Sequence, residues 1–199
     1  MKLWTIQDEK GWNELQSKGV LRGKREFINP EFKHGYDWMR EQMKTRLCRT
    51  YAHDEYPVWA WYQYNGSTRK RPDLRFSGHL PQGTNGYRIE IEKPYEEVLL
   101  SDFMLWHYPL SYKGYIGKNW KEERDFRKLE ISHKVGRTHL FEDYPESLKK
   151  IIINSWTLIF DMDFDWYYHA FPFKEKMIQA TFWELRIEEI INVSTFVAR

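Results

Sequence analysis

The sequence is poorest in what an exported or membrane-embedded protein needs. Cys48 is the only cysteine in 199 residues. Neither an intramolecular disulfide nor a cysteine-built metal cluster can form, which fits a reducing compartment. No apolar run is long enough to cross a bilayer, and the opening Met1–Gln7 meets charge within a few positions instead of leading into a signal-peptide core. Cytoplasmic residence without membrane contact is the expectation. One-sided charge is missing too: 31 Lys and Arg face 29 Asp and Glu, a net of +2. The pI of about 8.5 falls short of a dedicated nucleic-acid binder. The chain has no P-loop, zinc-protease helix, nucleophile elbow or dinucleotide fingerprint. Nor does it have a repeat or a low-complexity linker, so one domain over 1–199 is expected.

Aromatic residues are what the chain has in excess: 10 Trp, 13 Tyr and 12 Phe. Rings fill cores and pocket walls, and they also stack on bases, sugars or nicotinamide. The charge, though balanced overall, is uneven along the chain. Residues 1–80 carry 15 cations against 10 anions, and 81–199 carry 16 against 19. The first part therefore suits a phosphate-bearing ligand or simply presents a solvated basic face.

Leu3–Gln7 reads as a strand. Asp8 is placed to cap a helix carrying Trp12 and Leu15, and Gly19 to end it. Tyr36, Met39, Met43 and Leu47 fall on one face of a helix over 35–48. Pro57–Tyr64, Tyr87–Glu92, Val98–Leu100, Ile178–Leu185 and Ile190–Val197 read as strands, and 65–86 as a long loop. Helices are expected near 120–130 and over 145–160. Strands at both ends with helices gathered between predict an α+β fold, a central mixed or antiparallel β structure packed by several helices.

Four constellations bear on chemistry. Arg69-Lys70-Arg71-Pro72-Asp73-Leu74-Arg75 puts four cations in a constrained loop. Arg71 and Arg75 are candidates for phosphate recognition, or for a solvated loop with an internal Arg–Asp73 pair. Asp102 and His107 are either an acid–base pair or a helix cap and a surface histidine. Asp161, Asp163 and Asp165 alternate as in a calcium loop but lack its turn glycine and final glutamate, so no metal is expected. Gln179, Thr181 and Trp183 share one strand face, able to line a pocket, opposite Ala180, Phe182 and Glu184.

The segments Leu-Trp-Thr-Ile-Gln at 3–7, Tyr-Asp-Trp-Met at 36–39, Trp-Ala-Trp-Tyr-Gln at 59–63, Arg-Pro-Asp-Leu-Arg at 71–75 and Leu-Leu-Ser-Asp-Phe at 99–103 resemble a bacterial and phage family catalogued only as a domain of unknown function. That resemblance covers nearly the whole chain. The layout is also similar, remotely, to ADP-ribosyltransferase-like domains. This second resemblance implies NAD as cofactor, bound near Thr5, Arg22, Trp59, Trp61, Arg71 and Arg75. Gln179 would match the first position of the Gln/Glu-x-Glu motif, Thr181 replaces its Glu, and Glu184 would substitute as the catalytic carboxylate. It implies an enzyme modifying nucleic acid or protein in phage defence or a toxin system. The alternatives are a non-catalytic module that binds RNA or a nucleotide through Trp59 or Trp61 and the 69–75 loop, and a protein-interaction module.

Overall fold

The computed structural model describes residues 1–47, 55–111, 114–136 and 139–199. Cys48, with the redox reading placed on it and the last residue of the expected 35–48 helix, lies outside the described residues. The fold is α+β. Nine strands and five α-helices occur among the described residues.

The larger sheet is antiparallel throughout. Its six strands are β1 (Lys2–Asp8), β4 (Val58–Gln63), β5 (Asn85–Glu92), β6 (Leu99–Asp102), β7 (Ile178–Phe182) and β9 (Ile190–Val197), in the order β6-β7-β4-β1-β5-β9. A smaller sheet joins β3 (Glu55–Tyr56), β2 (Val20–Lys24) and β8 (Glu184–Arg186). The period-2 pattern explains how the larger sheet is covered on both faces. Val58, Ala60 and Tyr62 of β4 point into one apolar cluster with Leu3, Ile89, Ile91, Ala180 and Phe182. The intervening Trp59 packs against a second cluster on the other face, with Trp183 and Leu99.

Each face has its own cover. Helix α1 (Glu9–Lys18) lays Leu15 and Trp12 on the first cluster, joined by Leu21 of β2 and Leu185 of β8. Asp8 accepts from Gly11 N at 2.8 Å, and Gly19, at φ 71, closes the helix in the left-handed conformation. The second cluster draws on α2 (Lys33–Arg46), α3 (Phe103–Leu110), α4 (Trp120–Ser132) and α5 (Glu146–Ser155), the last continued by a 3₁₀ segment over Trp156–Phe160. The expected stripe on α2 holds: Met39 and Met43 are fully buried and Leu47 nearly so. Helix α2 meets the end of α3 at Gly35, where a Cβ would sit 2.6 Å from the Pro109 carbonyl oxygen.

One expectation needs correction. Ile178–Leu185 is not one strand: it breaks at Trp183, and β7 and β8 belong to different sheets. Alternation explains the break. Phe182 and Leu185 enter the same cluster, which an unbroken strand forbids, while Trp183 turns to the helix side. Residues 20–24, beyond the helix that Gly19 ends, form β2. Residues 103–110, which follow the strand expected at Val98–Leu100, form α3, whose Leu105, Trp106 and Pro109 are buried.

Candidate functional site

A cavity of about 970 Å³ lies on the helix side of the sheet, and α3, α4 and the turn at 166–170 position its chemistry. Asp102 starts α3 by accepting from Met104 N at 2.9 Å and Leu105 N at 3.3 Å. Its other carboxylate oxygen takes Lys176 Nζ at 2.8 Å in a pair shut off from solvent. Asp102 is therefore a cap, and His107 is exposed with Nδ1 beside the Phe103 carbonyl. From that start α3 delivers Tyr108 to the cavity wall.

Asn119 starts α4 through contacts to Lys121 N and Glu122 N, and one helix face then supplies Glu123, Arg127 and Glu130 to the cavity. Arg124 is exposed and has no ion-pair partner among the described residues. Glu130 is buried, yet satisfied: it accepts from the Tyr144 hydroxyl at 2.7 Å and from Arg127 Nη1 at 2.8 Å. Burial and then the Glu130 carboxylate push the Tyr144 phenol above its ordinary range. Burial and the nearby Glu122 and Glu123 charges push Tyr115 up to about 12. Neither phenol ionises near neutrality, so both remain hydrogen-bond donors.

His169 completes the wall. Its Nε2 lies 2.7 Å from Glu123 Oε1 and its Nδ1 2.9 Å from the Tyr108 hydroxyl. Trp166 and Tyr168 meet its ring edge to face, at 5.1 and 4.9 Å. Tyr115 stacks on Phe126 at 4.3 Å, and the exposed Trp120 leans on Tyr168 at 4.7 Å. Rings, guanidinium groups and a fixed imidazole therefore share one concavity. Apart from His107, sequence reasoning passed over the residues that line this cavity, because they come from separate elements with no local motif.

A second, smaller cleft of about 470 Å³ opens at the end of β1 and β4 against β2 and α1. It brings together two of the residues expected to bind NAD, Arg22 and Trp59, with Gln7, Lys10, Lys24 and Tyr36 around them. The others are dispersed. Thr5 is fully buried, donates to the Trp59 carbonyl at 2.8 Å and accepts from Gln7 Nε2 at 2.8 Å. Register puts Thr5 opposite Ile89, on the other face of the sheet from Trp61 and Gln179, which pair with each other. One ligand cannot touch all three. The Trp61 ring is already packed edge-on to Tyr64 and Phe103. Gln179 Oε1 and, across the β6–β7 pair, Ser101 Oγ are buried without a hydrogen-bond partner among the described residues.

Glu184 sits between two arginines. Arg22 donates to Oε2 through Nε at 3.1 Å and Nη2 at 2.7 Å, and Arg186 to Oε1 at 2.8 and 2.5 Å. Burial raises its carboxyl, but the Arg22 and then Arg186 hydrogen bonds outweigh that and hold it below the ordinary range. In the basic loop Arg75 is clasped by Asp73, with Nη2–Oδ2 at 2.6 Å, while Arg71 is exposed. Asp161 accepts from Asp163 N, and no metal-ligating group of three acidic, His or Cys side chains occurs among the described residues. No helix among the described residues is long and apolar enough to cross a membrane.

The family model described as Domain of unknown function (DUF3841) matches residues 2–191. No curated protein and no solved structure matches the chain.

Proposed function

The chain belongs to the DUF3841 family, a membership that carries no chemistry with it, and we propose from the helix-side pocket that it binds a ligand of the nucleotide class. One observation carries this reading. Aromatic faces and edges from Tyr115, Trp120 and Tyr168 share a 970 Å³ cavity with the guanidinium groups of Arg124 and Arg127. A planar base gains roughly 1–3 kcal/mol by stacking on such a ring. A phosphate gains bidentate hydrogen bonds from an arginine fork. Arg127 is shared with Glu130, so Arg124, on the exposed side of α4, is the cation assigned to the phosphate.

NAD is a member of this ligand class, and a nucleotide within RNA or single-stranded DNA is another. The reading does not use Glu184 as a catalytic carboxylate, because both its oxygens are engaged by arginines. A transferase built on that residue has no support from its surroundings.

Titration with AMP, ATP, NAD and a short single-stranded oligonucleotide, followed by calorimetry and tryptophan fluorescence, tests the reading. At least one ligand should bind at micromolar to millimolar concentration. Arg124→Ala with Tyr168→Ala should weaken it tenfold or more, equivalent to about 1.4 kcal/mol. Arg71→Ala with Arg75→Ala should leave it unchanged. Loss of binding in the second variant alone moves the anion site to the 69–75 loop. No binding by any of the four ligands removes the nucleotide reading.

A further inference from the structure

We propose that the Tyr108 hydroxyl is the proton-accepting group of the helix-side pocket, activated through His169 and Glu123. A hydroxyl of a nucleotide-class ligand, or a water beside it, is what it would deprotonate. This rests on the ligand reading above for its substrate class only.

The contacts fix the direction of the relay. Glu123 Oε1 receives two bonds, from Gly117 N at 2.7 Å and from His169 Nε2 at 2.7 Å. The first partner can only donate, so this oxygen accepts there, and where it accepts from the imidazole as well the hydrogen is on Nε2. In the neutral imidazole Nδ1 is then left with its lone pair, and the Tyr108 hydroxyl 2.9 Å away donates to it. When a substrate hydroxyl gives its proton to Tyr108 Oη, the phenol proton passes to Nδ1. The imidazolium so formed lies against the Glu123 carboxylate, which stabilises it. The sum is one proton moved from substrate to His169, with no other bond changed.

Two glycines hold the ends of the relay. A Cβ at Gly117 would lie 2.7 Å from Glu123 Oε1, and one at Gly114, whose φ is 91°, would lie 2.7 Å from Tyr108 Cδ1. The backbone is thus pressed against both the carboxylate and the phenol ring. The His169 side chain is only 4% exposed, while Tyr108 is half-buried on the cavity wall. Both residues line the cavity, but the phenol is the more exposed of the two and the imidazole is sheltered from bulk water. The titratable groups facing His169 are Glu123 from α4 and Tyr108 from α3, with the Trp166 and Tyr168 rings from its own segment.

An aryl sulfonyl fluoride reports this activation without any nucleotide present. The phenol oxygen forms the O–S bond, fluoride leaves, and the phenol proton goes to His169 Nδ1. Modification is mapped by peptide mass spectrometry on the whole chain, with the exposed Tyr167 as internal reference. Tyr108 should be labelled, and His169→Gln should cut the Tyr108-to-Tyr167 ratio at least tenfold near neutral pH. In the wild type the Tyr108-to-Tyr167 ratio should fall as the pH is lowered, because a protonated imidazole can no longer accept a proton. That fall should be lost in His169→Gln. An unlabelled Tyr108 beside a labelled Tyr167, an unchanged ratio in a folded variant, or a wild-type ratio that does not fall in acid overturns the proposal. If His169→Gln fails to fold, the wild-type profile and Glu123→Gln, expected to lower the ratio partway, decide it. Failure of the nucleotide titration leaves this result untouched, and failure here leaves the ligand reading untouched.

Discussion

Replacing Glu184 by Gln separates a structural carboxylate from a catalytic one. The residue is 5% exposed and accepts four donor contacts from Arg22 and Arg186. Arg22 and Glu184 are direct register partners across β2 and β8, so the clamp ties the smaller sheet together. A Gln amide keeps the shape but turns one oxygen into a donor that faces a guanidinium. Two charge-assisted bonds are lost, each worth about 1.5–3 kcal/mol undiscounted. The discount is large, because the arginine side chains are 44% and 34% exposed and water can replace the lost acceptor. Removing a buried charge also relieves desolvation. A net loss of about 2–3 kcal/mol is expected, or roughly 4–12 °C in melting temperature for a chain of this length. The pH dependence has a definite sign. The carboxyl is depressed in the folded state, so its contribution is present above the ordinary carboxylate range and is lost as pH falls through the folded value. Thermal melts of wild type and Glu184→Gln should therefore differ most at neutral pH and converge in acid. Equal melting at neutral pH, or a gap that ignores acid, refutes the reasoning.

Other substitutions test the buried framework. Lys176→Met removes the partner of Asp102 and the donor to the Phe164 carbonyl at 2.7 Å. The buried carboxylate left behind should cost about 3–5 kcal/mol in urea unfolding, and adding Asp102→Asn should recover part of it. Gly35→Ala forces a Cβ within 2.6 Å of the Pro109 carbonyl and 2.8 Å of Leu110 Cα. It should push α2 off α3 and lower the urea midpoint by the equivalent of at least about 2 kcal/mol, whereas an unchanged midpoint would mean the helix crossing yields freely.

Local rules made much of the framework legible. Asp8 and Gly19 bracket α1 because a short carboxylate and a Cβ-free residue satisfy helix ends through contacts a few residues away. The stripe on α2 and the alternation in β4 and β5 are visible because burial on one face imposes a period on the sequence. The same logic failed on α3. Residues 103–110 are apolar nearly all round, and Pro109 sits inside the helix, so no period distinguishes helix from strand there.

The sequence by itself determined the α+β class, the strand and helix segments whose periodicity is local, and the caps that bound them. It also placed the Arg75–Asp73 alternative, since those partners are two residues apart. Only the tertiary structure decided that Thr5 and Gln179 lie on opposite faces of one sheet, that Glu184 is held by an arginine 162 residues away, and that Trp183 divides one apparent strand between two sheets. The pocket is the clearest case. Tyr108, Glu123 and His169 are up to 61 residues apart, and each is ordinary where it stands in the chain. Their chemistry exists only because α3, α4 and the 166–170 turn pack on one face of the sheet, and contacts of that range leave no spacing rule in the sequence.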